Sequence, residues 1–303
     1  MSYNGVLNVC KEKGYTSHDV VAVLRRICHQ KKIGHTGTLD PDATGVLPVC
    51  LGNATKLCDF LTDQNKTYRA VMLLGVTSDT YDASGTVLSQ QDVSGLDPEA
   101  VKAAILSFMP GYDQVPPMYS AKKVDGKKLY ELAREGIEIE RRSVPVKIPS
   151  ITIEEMNLPR VTFTVTCSKG TYIRSLIHDI GQKLTCGALM EELVRTGASG
   201  FAIEDALTLD EIEKIAEQGL LQEHIVATDR ALASYPALKA KPAADKLLAK
   251  GNMFGTDLAE VNITSNQNGQ IFRVYNASGC FIGLYRCEAG RKCFRPYKIF
   301  PEV

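Results

Sequence analysis

The chain has 303 residues, 44% hydrophobic and 23% charged, with a formal net charge of zero. This is an ordinary globular composition with length for about two domains at ~150 residues each. No run reaches the ~18 apolar residues of a membrane span, and the amino terminus MSYNGVLNVCKEKG lacks a signal-peptide layout, so a soluble cytoplasmic protein is expected. Nine cysteines without a single Cys-x-x-Cys pair read as reduced, mostly buried thiols, with no metal site. The neutral total hides local charge. Residues 204–229 hold eight acidic residues and one lysine, net −7, whereas 230–303 is +6 and 116–150 is +3. Nucleic acid responds to local basic surface more than to the sum.

In chain order, residues 5–10 form a short strand. Thr16 and Ser17 then offer helix caps, with Asp19 placed for a capping box. Val20, Val21, Val23, Leu24 and Ile27 give that helix an apolar face. Arg25, Arg26, His29, Lys31 and Lys32 gather at its end, where cations suit the helix dipole.

The run 31–51, KKIGHTGTLDPDATGVLPVCL, is the centre of the chain. Its glycines at 34, 37 and 45 open backbone conformations closed to other residues, and Pro41 keeps Asp40 out of the helical region. An ordered loop presenting Asp40, with an apolar strand behind it, is expected. Beyond it, 54–61 reads as a helix and 66–76 as a buried strand entered by Tyr68 and Arg69. Residues 97–108 form a helix opened by Asp97-Pro98. The segment 114–123 is stiff and then basic, and 126–135 is helical. Residues 144–153 and 161–167 look like paired strands. Thr171 is placed to cap the next helix, with Arg174 in its first turn. A strand over 187–196, an acidic helix over 209–218 and a domain boundary near 228–236 follow. The last part holds a short helix over 243–250 and strands over 270–274, 281–287 and 293–300.

Gly34-His35-Thr36-Gly37-Thr38-Leu39-Asp40-Pro41, with Ala43-Thr44-Gly45-Val46-Leu47-Pro48, closely resembles the catalytic motif of the TruB family of pseudouridine synthases. Lys66-Thr67-Tyr68 resembles that family's second motif, and Ser168-Lys169-Gly170-Thr171-Tyr172-Ile173-Arg174 its third. Residues 187–196 resemble the next strand, 116–150 the basic insert that folds over RNA, and 236–303 the PUA-type RNA-binding domain. Cys10-Lys11-Glu12 departs from the usual Asp-Lys-Pro.

The resemblance implies an α/β (α+β) fold: a mixed, largely antiparallel sheet with flanking helices over 1–230, then a small β-rich PUA-like domain over 236–303. It implies an isomerase converting uridine to pseudouridine in the T-arm loop of tRNA (U55). Asp40 would attack or stabilise the reacting nucleoside, Arg174 would pair with Asp40, and Tyr68 would pack on the base and take part in proton removal. His35, Tyr172 and Leu193 would contact the base or its RNA, and Lys11 and Gly34 are carried along as RNA-binding candidates. The reaction is redox-neutral, so no cofactor and no metal is implied. A monomer acting on tRNA without a guide RNA or a membrane is expected. Because aspartates are ordinarily ionised at neutral pH, the guanidinium is needed for orientation and charge neutralisation, which a bidentate pair would supply.

Asp40-Pro41-Asp42-Ala43-Thr44 also fits the Asp-x-Asp-x-Thr of haloacid-dehalogenase-type phosphatases. That motif ends a buried apolar strand, which His35-Thr36-Gly37-Thr38-Leu39 cannot be.

Overall fold

The computed structural model describes residues 2–120, 122–124, 126–261 and 264–300. Ala121 and Asp125 of the expected insert, and residues 262, 263 and 301–303 of the expected small domain, lie outside the described residues.

The main sheet is built on β1 (Gly5–Lys11), β2 (Thr44–Leu51), β3 (Lys66–Leu74), β4 (Ser150–Asn157), β5 (Arg160–Cys167), β6 (Ala188–Ala198) and β7 (Ile225–Val226), in the order β4-β5-β3-β6-β2-β1-β7. Short strands Ile33–His35 and Phe201–Ala202 pair with β2 and β6. Neighbours run antiparallel except at the centre, where β6 lies parallel to β2 with Val194 opposite Thr44. Helices α1 (Ser17–Ile27), α2 (Pro98–Leu106), α3 (Ile173–Lys183) and α4 (Leu209–Glu217) flank the sheet.

Two cores divide at that parallel seam. One packs α2 and α3, through Val101, Ile105, Leu176 and Ile180, on β3, β5 and β6. The other packs Val20 and Leu24 of α1 and Ile212 of α4 on β1 and β2. A central strand covered on both faces must be apolar throughout, and every residue of β2 after Thr44 is buried. In β3 burial alternates strictly, so Lys66, Tyr68, Ala70, Met72 and Leu74 share the inward face.

The Thr16–Asp19 capping box forms as the sequence implies. Two other expectations are corrected. The run 144–153 is two strands in two sheets: Val144–Lys147 pairs with Gly111–Gln114, and only β4 pairs with β5. Pro149, which has no N–H, stands at the break, and the Ile148 N–H turns to the Pro110 carbonyl at 2.8 Å. Thr171 does not cap α3. Its hydroxyl donates to the Ser168 carbonyl, and Tyr172 is the N-cap, without a side-chain cap bond.

The C-terminal part is a five-stranded sheet of β8 (Ala237–Lys239), β9 (Phe254–Gly255), β10 (Ile271–Tyr275), β11 (Phe281–Glu288) and β12 (Cys293–Ile299), in the order β8-β10-β11-β12-β9. Its own core centres on Phe254, Phe272, Tyr285 and Phe294. A further apolar cluster joins it to the large domain: Leu284 and Phe300 pack with Val6, Leu57 and Leu61. Among the described residues no helix is long and apolar enough to cross a membrane.

Candidate active site

Asp40 sits in the loop between strand Ile33–His35 and β2, where the chain enters the parallel seam. The loop is pinned at nearly every residue. Thr36 bonds the Pro48 carbonyl through both its N–H and its hydroxyl, at 3.1 and 3.2 Å. The Leu39 N–H donates to Ser17 Oγ at 3.0 Å, the Pro41 carbonyl accepts from Gly14 N–H at 3.0 Å, and Ala43 N–H closes a turn onto the Asp40 carbonyl at 3.1 Å. Leu39 and Ala43 are buried in the core, so the loop is anchored by apolar contacts as well.

Of the three glycines, Gly37 (φ 115°) and Gly45 (φ 103°) use the conformation only glycine tolerates. At Gly45 a Cβ would also lie 2.2 Å from the Arg195 carbonyl oxygen, so β2 could not approach β6 with any larger residue. Gly34 is different: its φ is ordinary, and a Cβ there would lie 3.2 Å from Cys58 Sγ. Space rather than backbone conformation accounts for Gly34, and its packing partner is a thiol.

Arg174, in the first turn of α3, reaches the loop from 134 positions away. Its Nη2 lies 3.1 Å from Asp40 Oδ1 and 3.0 Å from Oδ2. The expected two-nitrogen clamp is therefore corrected: one nitrogen straddles both oxygens. The same Nη2 also donates to the Tyr119 carbonyl (2.9 Å), Nη1 donates to the Thr80 carbonyl (3.4 Å), and Nε faces Asp82 Oδ2 at 3.9 Å. The Arg174 side chain is 6% exposed and that of Asp40 41%, so the arginine is the buried support and the carboxylate is the presented group. Asp82 is itself fixed, its Oδ1 accepting from the Thr80 hydroxyl and from the N–H and hydroxyl of Ser84.

The start of α3 is set by a network that the sequence reading missed. Gln114 accepts from Tyr172 N–H through Oε1 (2.8 Å) and donates through Nε2 to the Tyr172 carbonyl (3.0 Å) and to the Tyr112 hydroxyl (2.7 Å). The Tyr112 hydroxyl in turn donates to Asp179 Oδ2 at 2.7 Å. A buried glutamine grips both backbone groups of the N-cap residue and so fixes where α3 begins, without capping its first-turn N–H groups.

Tyr68 and Leu193 lie in the same buried cluster as Leu39 and Ala43, on adjacent strands. Burial raises the Tyr68 phenol above its usual range, while the charge of Arg195 and a hydrogen bond from it act the other way. Tyr172 is half-buried beside Arg174. His35 ends a short strand and meets His18 edge-on at 5.2 Å. Among the described residues its buried Nδ1 has no hydrogen-bond partner. Burial lowers its basicity, and the nearby His18 and Arg195 charges add to that.

Lys11 is placed where no RNA can touch it, which corrects its assignment as a binding residue. It is fully buried, and its ammonium donates to the carbonyls of Tyr15 (2.7 Å), Glu12 (3.0 Å) and Pro41 (3.0 Å). It holds the first loop against the Asp40 loop despite the unusual flanking Cys10 and Glu12.

Two more buried cations back the site: Arg195, which no motif marks, and Lys66, which the second motif contains without a role assigned to it. Arg195 donates through Nε to the Val46 carbonyl (2.6 Å) and through Nη2 to the Gly37 carbonyl (3.3 Å). Lys66 donates to the Thr62 and Gln64 carbonyls. The alternation of β3 and β6 held the signal, since Lys66 shares a face with Tyr68, and Arg195 with Leu193. Burial lowers the Lys66 ammonium to about 8, and the charge of Arg195 adds to this. An ammonium held below its unfolded value of 10.5 weakens the fold at lower pH, because the unfolded chain binds that proton more tightly. The penalty is complete below about pH 8 and fades as pH rises towards 10.5. Urea midpoints measured from pH 7 to 10 are therefore expected to move in favour of the wild type relative to Lys66→Met. A constant difference would show that Lys66 does not titrate with folding.

The arrangement presents one carboxylate beside the apolar cluster that holds Tyr68 and Leu193, backed by buried positive charge. Comparison with known proteins agrees with this chemistry. Residues 25–173 match the model of the TruB family pseudouridylate synthase N-terminal domain, and residues 174–233 that of the tRNA pseudouridylate synthase B C-terminal domain. The chain is 47% identical over 306 aligned residues to the tRNA pseudouridine synthase B of Lachnoclostridium phytofermentans, covering 98% of this chain and 99% of that one. It is 45% identical to the same enzyme of Clostridium tetani, covering 98% of each. Among solved structures, a chain of a Cbf5-Nop10-Gar1 complex superposes with a TM-score of 0.76 at 26% identity, covering 99% of this chain and 87% of that one. A chain of the archaeal box H/ACA sRNP Nop10-Cbf5 complex gives 0.73 at 25%, covering 99% and 89%. The two family models cover more than half the chain between them, and the Asp40 loop falls within the first: the chain belongs to the TruB family of pseudouridylate synthases.

Proposed function

We propose that this isomerase acts on the uridine of the T-arm loop of tRNA (U55), which it extrudes from its stack and converts to pseudouridine without a cofactor. The Asp40–Arg174 pair beside the apolar cluster of Tyr68 and Leu193 carries the reading. The bond from ribose C1′ to N1 breaks and the ring is rejoined through C5. Asp40 attacks, or stabilises the electron-poor sugar, and Arg174 holds it in line. Tyr68 and Leu193 wall the pocket for one flipped pyrimidine, with Tyr172 and His35 at its rim. Supporting the substrate are the names of the relatives, each a tRNA pseudouridine synthase B. We assign residues 1–230 to catalysis and 236–303 to PUA-like RNA binding, in a cytoplasmic monomer that works without a guide RNA. The basic insert over 116–150 closes on the RNA, and its Tyr119 carbonyl already reaches Arg174.

Incubation with unmodified tRNA tritiated at uridine C5 tests the reading. Release of label from one T-loop position is expected, and retention of that label, or release from another position, would overturn it.

The small domain offers a specific surface for the RNA backbone. Arg286 and Arg295 are exposed and opposite each other in register, and the Arg286 guanidinium lies 4.8 Å from the Tyr297 ring centre. Replacing both arginines by glutamate is expected to weaken tRNA binding and to lower the slope of log K against log salt by about two. An unchanged slope would remove this face from the interface. Point substitutions are the better test here, because deleting the domain would expose Leu57 and Leu61.

A further inference from the structure

Arg195 is the largest fully buried side chain among the described residues, 1% exposed. Its hydrogen bonds to backbone go to two carbonyls, and it forms no ion pair among the described residues. A buried guanidinium without a carboxylate partner is costly, so its position calls for a reason. It stands directly opposite Tyr68 across the β3–β6 pairing, close enough for aligned side chains to touch. The same side chain is tied to β2 through Val46 and to the Asp40 loop through Gly37. It thus links the nucleophile's loop, the strand behind it and the tyrosine of the pocket.

We propose that Arg195 is a positioning residue for proton removal, fixing the Tyr68 hydroxyl relative to Asp40 and supplying the permanent positive charge beside it. This rests on the reading of Tyr68 given under Proposed function. Once the ring is attached through C5, the C5–H bond breaks. Its electron pair forms the C5=C6 double bond, the C6=N1 pair moves to N1, and N1 takes a proton from water. The C5 proton passes to the Tyr68 phenolate oxygen, and the resulting phenol returns it to solvent on product release.

A phenolate in this pocket needs help, because burial opposes it. The charged or ionisable groups facing Tyr68 are Arg195 on β6, Cys167 on β5, Asp40 on its loop and Lys66, two residues back on its own strand. Asp40 and Cys167 work against the phenolate. Lys66 loses its charge near pH 8, in the direction in which phenolates form. A guanidinium keeps its charge throughout, so Arg195 is the cation that persists.

Single-turnover rates on unmodified tRNA carrying either protium or deuterium at uridine C5 test this. Arg195→Met is expected to lose on the order of 100-fold in rate, to show a primary deuterium isotope effect larger than the wild type's, and to bind tRNA with unchanged affinity. Arg195→Lys keeps the charge and is expected to recover part of the rate with an intermediate isotope effect. It also carries the test if the methionine variant fails to fold. A slow Arg195 variant whose isotope effect equals the wild type's, or whose loss lies in tRNA affinity, would overturn the proposal. Tyr68→Phe separates this from the reading beneath it. Wild-type tritium release from that variant would remove Tyr68 from proton transfer, whereas a lost release alongside isotope-insensitive Arg195 variants would reject Arg195 alone.

Discussion

Asp40→Asn is expected to bind tRNA with wild-type affinity and to turn over at less than about a few per cent of the wild-type rate. The substitution keeps shape and removes charge. Asparagine can occupy the same position, since the loop is held by Thr36, Leu39 and Pro41 and not by the carboxylate. Arg174 is not orphaned by the change: the carbonyls of Tyr119 and Thr80, and Asp82 at 3.9 Å, remain around it. With its side chain 41% exposed, Asp40 contributes only about 1 kcal/mol or less to the fold through this pair. Melting temperature and RNA affinity are thus expected to change little, while the nucleophilic or electrostatic role is lost outright. Gel-shift affinity and single-turnover pseudouridine formation on one preparation give the answer. Activity above a few per cent would show that a neutral amide suffices, and no role requiring a carboxylate would survive.

Much of this site was legible because its chemistry is concentrated in short motifs. The loop around Asp40 has too many glycines and too sharp an apolar onset to be an ordinary turn, and Arg174 follows a Gly-Thr-Tyr run of its own. What was hidden has a physical cause in each case. Arg195 sits in Leu193-Val194-Arg195-Thr196, where an arginine on a strand reads as a surface charge. Alternation puts it on the same face as Leu193, but its full burial depends on β6 lying at the centre of the sheet, which no local pattern records. Lys11 is an RNA-binding candidate only through the family resemblance, and only the three converging carbonyls reveal a structural role. The Gln114 clamp joins positions 58 residues apart. The apolar run 144–153 looked continuous because hydrophobicity does not record which partner each half takes. The three-residue strand β8 is too short for any alternation to show.

Arg174→Lys is expected to keep the fold and tRNA affinity and to lose on the order of 100-fold or more in turnover rate. The charge is retained, so any loss reports geometry. The arginine brings one nitrogen to both oxygens of Asp40 while the remainder of its plane meets the carbonyl of Thr80 and faces Asp82. A lysine ammonium is a single point on a flexible stem and cannot span these partners together. It must choose between Asp40 and the loop carrying Thr80 and Asp82, and either choice releases a group the arginine holds. A carboxylate misplaced by about 1 Å is enough to cost roughly 100-fold. If the lysine instead settles on Asp82, Asp40 is left facing the base without a counter-charge. Adding Asp82→Asn then separates the two outcomes. Recovery of rate in Arg174→Lys/Asp82→Asn would show that Asp82 had captured the ammonium, and no recovery would place the loss in the orientation of Asp40. Unchanged single-turnover kinetics in Arg174→Lys itself would mean that any cation in this position serves, and that the division of the guanidinium between two carboxylates and two carbonyls has no part in the rate.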